Sequence, residues 1–138
     1  VSVMRGLARI PPAAGIAAMQ AINFVILNPV FGLVFFGTTA VCLVVTITPV
    51  VQWHQPASAY MLAGGLLYLI GAFGVTVVFN VPRNNALAVV DPASPEGARV
   101  WAGYLATWTA WNHVRTIASL AATAALIVAF CVTRETSR

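Results

Sequence analysis

The sequence predicts an all-α membrane protein, a single domain over residues 1–138 with three transmembrane helices. Hydrophobic residues make up 60% of the chain and charged residues only 7%, whereas a soluble domain carries about 25% charged residues. Three apolar stretches, at 28–48, 59–79 and 104–133, each reach the roughly 20 residues that a helix needs to cross a bilayer. Because unpaired backbone groups are costly in lipid, we expect all three to be helices.

The distribution of the charged residues predicts how the chain is oriented in the membrane. All seven basic residues are arginine, the net charge is +4, and no cluster of cations lies along one face. This pattern does not favour nucleic acid as a partner, and the lipid bilayer is the partner that the composition predicts. Four arginines belong to the N-terminal segment and the 80–103 loop, against two, Arg134 and Arg138, on the other side. The positive-inside rule therefore predicts that the 80–103 loop is cytoplasmic, in the cytoplasmic membrane of a bacterium.

The first elements follow from prolines and their neighbours. Residues 1–10 have the pattern of the end of a helix that begins before this sequence, and Pro11 and Pro12 interrupt it. A short helix restarts at Pro12 and runs through residue 27; its two polar residues, Gln20 and Asn23, lie three apart and share a face. Asn28 and Pro29 then predict the N-cap and first residue of the first span.

The second span is rich in glycine. A short connection with two prolines, residues 49–58, precedes it. Small residues allow membrane helices to approach closely, so we expect this helix to lie at the centre of a bundle. The alternative is a ligand groove lined by the same residues, which are Gly64, Gly65, Gly71 and Gly74.

The segment FNVPRNNAL, residues 79–87, is predicted to end the second span. Pro82 favours an extended conformation at the preceding residue, which turns Asn80 back toward the bundle. There Asn80 and Asn84 can hold Arg115, Asn112 or a carbonyl-bearing ligand. The alternative is that these asparagines only cap the helix and stabilise a long polar loop.

Ser94 and Pro95 predict the start of a long last helix, from about Glu96 to Thr133. Its aromatic residues are typical of an interfacial belt: Trp101, Tyr104, Trp108 and Trp111. A stripe of one helix face carries Trp101, Trp108, Asn112, Arg115 and Ser119. An arginine at this depth is a candidate functional residue, because it must be paired or face a wet cavity. The alternatives for Arg115 are snorkelling to lipid phosphates and capping the second span.

A metal site is not expected. His54 and His113 are predicted on opposite membrane faces, about 30 Å apart, and no acid lies within a span. Cys42 and Cys131 are expected as free, buried thiols rather than as a disulfide.

The two motifs around the loop carry a family resemblance. FNVPRNNAL, followed by DPASPEGARVWAGYLATWTAWNHVRT at residues 91–116, resembles the anthrone oxygenase-like family of small membrane proteins, often described only as a domain of unknown function. The shared pattern is an N-x-P-x-N-x-x-L turn and a helix with W-x-x-x-N-x-x-R. In this sequence these are Asn80, Pro82, Asn84 and Leu87, then Trp108, Asn112 and Arg115.

The resemblance implies both a fold and a reaction class. Similar proteins are four-helix membrane bundles, which implies that the first helix is mostly missing from this sequence. Fungal relatives oxidise anthrones to anthraquinones with dioxygen, without a metal or another cofactor. That chemistry implies stacking of a hydrophobic aromatic or quinol-like substrate on Trp108 with Trp111 or Trp101. Arg115 and Asn112 would hold the developing oxyanion, and Asn80 and Asn84 would orient the substrate or peroxide oxygens.

Two functions of different classes therefore remain open. The first is a cofactor-independent monooxygenase, an oxidoreductase acting on a hydrophobic aromatic ligand. The second is a non-catalytic small subunit that packs against neighbouring membrane subunits of a larger complex. The uniformly apolar surface and the lack of an acid–base pair favour the second, and the motifs favour the first.

Overall fold

The described part of the chain is helical. A computed structural model describes residues 2–53 and 55–136, except the side chain of residue 136, and no strand occurs among them. The helices are α1 (Ser2–Leu7), α2 (Pro12–Ile26), α3 (Pro29–Val51), α4 (Ser58–Ala88) and α5 (Pro95–Thr136). Helices α3, α4 and α5 are long and apolar enough to cross a membrane. This confirms the all-α fold class and identifies the chain as an integral membrane protein.

The predictions for His54 and Arg138 lie outside the described residues. The two cysteines are described, and both are free thiols. Cys42 is buried as expected, whereas Cys131 is exposed on a face of α5.

Two predicted helix starts are confirmed by their side-chain caps. The Oδ1 of Asn28 accepts a hydrogen bond from the backbone N–H of Phe31 at 3.0 Å, and Pro29 is the first residue of α3. Likewise the Oγ of Ser94 accepts from the N–H of Gly97 at 2.9 Å. Both caps satisfy an N–H that has no partner within its own helix.

The first span does not end at residue 48. Helix α3 continues through Pro49 to Val51, so the predicted loop boundary was wrong. The proline lies in the last turn, where its missing N–H removes only one hydrogen bond from the helix. After this helix, the Ser58 hydroxyl donates to the Gln52 carbonyl at 2.9 Å, which ties the start of α4 to the residue that follows α3.

Pro82 does not end the second span either, which corrects the predicted turn at residues 79–87. Helix α4 runs on to Ala88, because Pro82 follows two wider π-helical segments, Leu67–Gly74 and Thr76–Asn80. The wider turn gives the proline ring room beside the preceding carbonyls. The guanidinium of Arg83 donates to the Phe79 carbonyl at 2.6 Å and supplies a further bond at this point.

The predicted 80–103 loop is therefore mostly helix. Only residues 89–94 are irregular. Asp91 holds this short connection together, because its Oδ1 accepts from the N–H of Ala93 at 2.9 Å and its carbonyl accepts from the Ser94 hydroxyl at 2.7 Å.

The chain divides into two compact units. The first unit comprises residues 2–31 and 76–113 and contains α1 and α2. Its core consists of Met4, Ile16, Met19, Leu87, Trp101 and Tyr104. Gly15 is required there, because a Cβ at this position would lie 2.8 Å from the Trp101 ring. The Gln20 amide ties α2 to the end of α4 by donating to the carbonyls of Leu87 and Val90, at 2.9 and 3.0 Å.

The second unit comprises residues 32–53, 55–75 and 114–136. In it α4 contacts both of the other long helices through small residues, as its glycines predict. A Cβ at Gly64 would lie 2.7 Å from the Leu126 side chain, and one at Gly71 would overlap the Cβ of Ala118. Gly65 faces Thr46 of α3 with the same close approach. The prediction of close packing is confirmed for these three positions.

Candidate functional site

A group of polar and aromatic side chains lies between three helices of the first unit. We call it the asparagine cluster; it consists of Asn23 of α2, Asn80 and Asn84 of α4, and Tyr104 and Trp108 of α5. The bonds and ring contacts described below join all five. They bring together three of the residues that the sequence singles out, Asn80, Asn84 and Trp108.

Tyr104 is the centre of the cluster. Its ring stacks between Trp101 and Trp108, with centroid distances of 5.7 and 5.8 Å. The spacings of three and four residues put the three rings on one face of α5. Only 3% of Tyr104 is exposed, and its hydroxyl donates to the Oδ1 of Asn84 at 2.8 Å. Asn84 is thereby held in one orientation.

Asn80 is as deeply buried as Tyr104, with 3% of its surface exposed. Its Nδ2 donates to the backbone carbonyl of Trp108 at 3.5 Å, which orients the amide. The Oδ1 of Asn80 is buried and has no hydrogen-bond partner among the described residues. The Nε1 of Trp108 is also buried without a hydrogen-bond partner among the described residues. The two residues therefore present one acceptor and one donor that make no hydrogen bond.

Asn23 contributes a third polar atom of this kind. Its amide lies beside the Tyr104 hydroxyl, but its Nδ2 makes no well-formed hydrogen bond to a described residue. Each buried polar group without a partner costs about 1–3 kcal/mol. Three of them within one cluster, two donors and one acceptor on three helices, indicate a place where another molecule can form hydrogen bonds.

The other two tryptophans of the predicted site also have partners for their rings. Trp101 is 3% exposed and packs against Gly15 and Tyr104. The ring of Trp111 stacks on Phe79, with centroids 3.6 Å apart and planes inclined by 7°. The interpretation of Trp101 and Tyr104 as an interfacial belt was wrong, because both belong to the core of the first unit.

Asn112 and Arg115 belong to different units. Asn112 is a half-buried residue of the first unit, and Arg115 is a half-buried residue of the second, where Tyr68 is an electrostatic neighbour. Both have interaction partners in the structure. The predicted stripe is visible in the burial of α5, since Trp101, Trp108, Asn112, Arg115 and Ser119 are all buried or half-buried.

Tyr104 and Asn23 are cluster members to which the sequence assigned no site role. The signal for Tyr104 was its position between Trp101 and Trp108, at helical spacing on the same face. The signal for Asn23 was its place on one face with Gln20, which the bonds of Gln20 to α4 confirm as an inward face.

The cluster offers amides, a phenol and an indole rather than metal ligands. No group of three His, Cys, Asp or Glu side chains suited to a metal ion occurs in residues 2–53 and 55–136. Arg83, which precedes Asn84 in the chain, is bonded elsewhere, because its Nε donates to the Thr107 hydroxyl at 3.0 Å. The cluster is therefore suited to neutral hydrogen bonding around an aromatic ligand.

Comparison with known families agrees with the motif resemblance. The family profile described as anthrone oxygenase matches residues 23–125, which is most of the chain. The chain belongs to the anthrone oxygenase family. The match begins at Asn23 and contains all five residues of the asparagine cluster, whereas α1 lies outside it. No curated protein and no solved structure matches the chain.

Proposed function

We propose that this member of the anthrone oxygenase family oxidises a hydrophobic aromatic substrate of the anthrone type with dioxygen, without a cofactor, at the asparagine cluster. The observation that carries the proposal is the pair of buried, unpartnered atoms Asn80 Oδ1 and Trp108 Nε1, within the part of the chain that matches the family.

The substrate class can supply the reactivity. An anthrone has a methylene between two aromatic rings and opposite a carbonyl, so transfer of a methylene proton to water gives an electron-rich enolate, and the peroxide anion formed in the next step takes a proton back from that water. The enolate transfers electrons to dioxygen and forms a carbon–oxygen bond at the former methylene. Loss of water from the resulting hydroperoxide leaves the second carbonyl. One anthrone and one dioxygen thus give one anthraquinone and one water.

The cluster supplies what this reaction needs from a protein. The Nε1–H of Trp108 donates to the substrate oxygen on which negative charge develops, and the Oδ1 of Asn80 accepts from a substrate hydroxyl or from the hydroperoxide. Asn84, held by Tyr104, keeps its position during the reaction. In a buried site such donors act without reorganisation and at low dielectric, which makes each hydrogen bond stronger than in water.

Asn112, a half-buried residue of the first unit, completes the proposal as a second source of oxyanion stabilisation. Of the three predicted tryptophans, we assign the substrate contact to Trp108, through the ring edge that carries its unpartnered Nε1. The rings of Trp101 and Trp108 stack on Tyr104, and that of Trp111 stacks on Phe79.

The test is dioxygen uptake by the purified full chain with an anthrone as the probe. Trp108→Phe keeps the ring but removes the donor, and Asn80→Ala removes the acceptor. Each should lower kcat/KM about tenfold to a hundredfold, the equivalent of a lost hydrogen bond to a buried group. Matched controls are Trp53→Phe and Asn85→Ala, since both residues are exposed and lie outside the cluster.

Stability separates catalysis from packing in the same variants. Trp108→Phe removes a buried N–H that lacks a partner, so the free energy of unfolding should stay constant or rise while turnover falls. Turnover equal to wild type in both cluster variants would contradict the proposal. A fall in stability that matches the fall in turnover would assign the cluster to packing alone.

A second candidate function is a non-catalytic subunit of a membrane complex. It is favoured by α3, whose most apolar window is only 11% buried in the chain itself. Lipid covers such a face as well as another subunit does. Stoichiometric copurification with other membrane subunits, in protein inactive toward anthrones, would favour this function over the oxygenase.

We further propose that the 89–94 connection lies on the cytoplasmic side of the membrane. The support is the arginine distribution, with Arg5, Arg9, Arg83 and Arg99 on this side. A single cysteine placed at Ala93, in a variant without Cys42 and Cys131, should react with an impermeant thiol reagent only after cells are opened. Labelling in intact cells would place the connection outside.

A further inference from the structure

One buried donor of the asparagine cluster has no part in the reaction proposed above. It is the Nδ2 of Asn23, the cluster residue that comes from α2. Among the described residues this atom makes no well-formed hydrogen bond, although the Tyr104 hydroxyl lies beside the amide. Asn23 therefore has a donor to offer to a molecule that enters the cluster.

The surroundings of Asn23 keep this donor away from water. Its neighbours in the chain, Ile22, Phe24 and Val25, are exposed apolar residues of an apolar helix. In a membrane protein such a face meets lipid chains, which offer an amide no hydrogen bond. Asn23 itself is half-buried, and its Nδ2 is covered by protein. A ligand in the cluster is therefore the partner that is available to this donor.

Helix α2 is fixed at the position that brings Asn23 to the cluster. Gln20, one turn earlier on the same face, donates to two carbonyls at the end of α4, at 2.9 and 3.0 Å. Gly15, two turns earlier, lets the helix approach the Trp101 ring. The helix is thus held at two points, and it presents the amide of Asn23 in a fixed place, as a preorganised donor requires.

The cluster offers two donors and one acceptor without partners among the described residues: Asn23 Nδ2, Trp108 Nε1 and Asn80 Oδ1. An anthrone has a single oxygen, that of its carbonyl, to which Trp108 donates in the proposed function. The corresponding quinone has two oxygens, on opposite edges of its central ring. The two donors lie at different parts of Tyr104, because Asn23 is beside its hydroxyl and Trp108 stacks on its ring. Their number and placement suit the oxygenated molecule better than the substrate.

We propose that the Nδ2 of Asn23 donates a hydrogen bond to the oxygen that the reaction adds, an inference that rests on the proposed function. The bond forms once dioxygen has bonded to the former methylene carbon, and it persists on the hydroperoxide and on the quinone. Asn23 gives up no proton, so the balance of the reaction is unchanged. An interaction that the substrate cannot make, but the oxygenated form can, lowers the barrier without tightening substrate binding.

The experiment compares a ligand with one oxygen and a ligand with two. Quenching of tryptophan fluorescence measures the binding of anthrone, in the absence of air, and of anthraquinone to the purified full chain. Asn23→Leu keeps the size of the side chain but removes its donor. It should leave the Kd of anthrone unchanged and raise the Kd of anthraquinone about tenfold, the loss of one hydrogen bond at a buried group. In turnover it should lower kcat about tenfold at constant KM.

Two further variants support the measurement. Asn85→Leu is the matched control, because Asn85 is an exposed asparagine outside the cluster, and it should leave both Kd values at those of the wild type. Asn23→Ala removes the same donor without a branched side chain, and it should shift the ratio of the two Kd values in the same direction as Asn23→Leu. Circular dichroism checks that each variant folds.

The ratio of the two Kd values decides the outcome. An unchanged ratio in both Asn23 variants, or equal weakening of both ligands, would overturn the role of Asn23; dioxygen uptake by the wild type would then leave the oxygenase proposal standing. A raised Kd for anthraquinone alone, in a protein whose wild type takes up no dioxygen, would support Asn23 as a donor to the second oxygen and contradict the proposed reaction. Binding of neither ligand would overturn both proposals.

Discussion

The two units satisfy their polar side chains in different ways. In the second unit, threonine hydroxyls donate to the carbonyl four residues earlier in their own helix, as Thr39, Thr46 and Thr123 do at 2.7–2.9 Å. In the first unit, polar side chains bond across elements, as Gln20 does to the end of α4 and Tyr104 to Asn84. Neither pattern is exclusive, because the Thr107 hydroxyl of the first unit donates to the Gly103 carbonyl of its own helix at 2.7 Å, and the Tyr68 hydroxyl of the second unit makes a long 3.5 Å contact with the Phe35 carbonyl of another helix.

The difference follows from the surroundings of each bond. A hydroxyl that bonds within its own helix needs no neighbour, so it is satisfied wherever that helix lies in lipid. A hydrogen bond between helices depends on the relative position of those helices. Where that position does not suit every polar group, some donors and acceptors have no partner. All three buried polar atoms without partners, among the described residues, belong to the first unit. The first unit therefore has the hydrogen-bonding capacity that a ligand can use.

The strongest way to break this comparison is to substitute Asn112, which belongs to the first unit. If it stabilises an oxyanion as proposed, Asn112→Ala should lower kcat about a hundredfold or more, the usual cost of losing one such donor. Anthrone-dependent dioxygen uptake measures the effect.

The control for that prediction is Asn85→Ala, which removes an exposed amide outside the cluster. Wild-type turnover in Asn112→Ala, together with a loss in Trp108→Phe, would remove Asn112 from the catalytic groups.

Close helix packing in the second unit can be tested with one methyl group. Gly71→Ala places a Cβ against the Cβ of Ala118, which cannot move without its helix, whereas Gly37→Ala meets nothing within 4 Å. We expect Gly71→Ala to be less stable than Gly37→Ala by about 1–3 kcal/mol. Unfolding in detergent, followed by circular dichroism, gives the difference. Equal stabilities would show that α4 and α5 do not pack through this residue.

The smallest expected effects come from the hydrogen bonds themselves. Gln20→Ala removes two bonds between elements and should cost about 1–2 kcal/mol, because two carbonyls lose a donor. Thr123→Val removes a bond within one helix and should change stability by less than about 0.5 kcal/mol. The same unfolding measurement compares them. The reverse order would show that the second unit relies on its threonines.

The local features of the fold were predictable from the sequence because they depend on adjacent residues. Asn28 with Pro29 and Ser94 with Pro95 mark helix starts through caps that lie within one turn. The course of α4 past Pro82 was not predictable, since a π-helical turn depends on packing around the helix and has no residue code of its own. The six-residue connection at 89–94 could not be located for the same reason.

Several residues of the site were predictable from the sequence, but the way in which they contact each other was not. Asn80, Asn84 and Trp108 are close together as the motifs indicated, but Tyr104, at their centre, was assigned to the membrane interface. Aromatic residues at helical spacing are typical of both a core and an interfacial belt. The residue that decides between them is Gly15, far away in the chain, which lets α2 approach the Trp101 ring.

The π-helical stretches of α4 have an evolutionary consequence. Each such turn holds one residue more than an α-helical turn, so every side chain beyond it is rotated by about 100° from its α-helical direction. Deleting a single residue from one of the two stretches would restore an α-helical turn there and exchange Asn80 and Asn84 for their neighbours on the inward face. Relatives of this chain should thus tolerate many substitutions in that segment but keep its length.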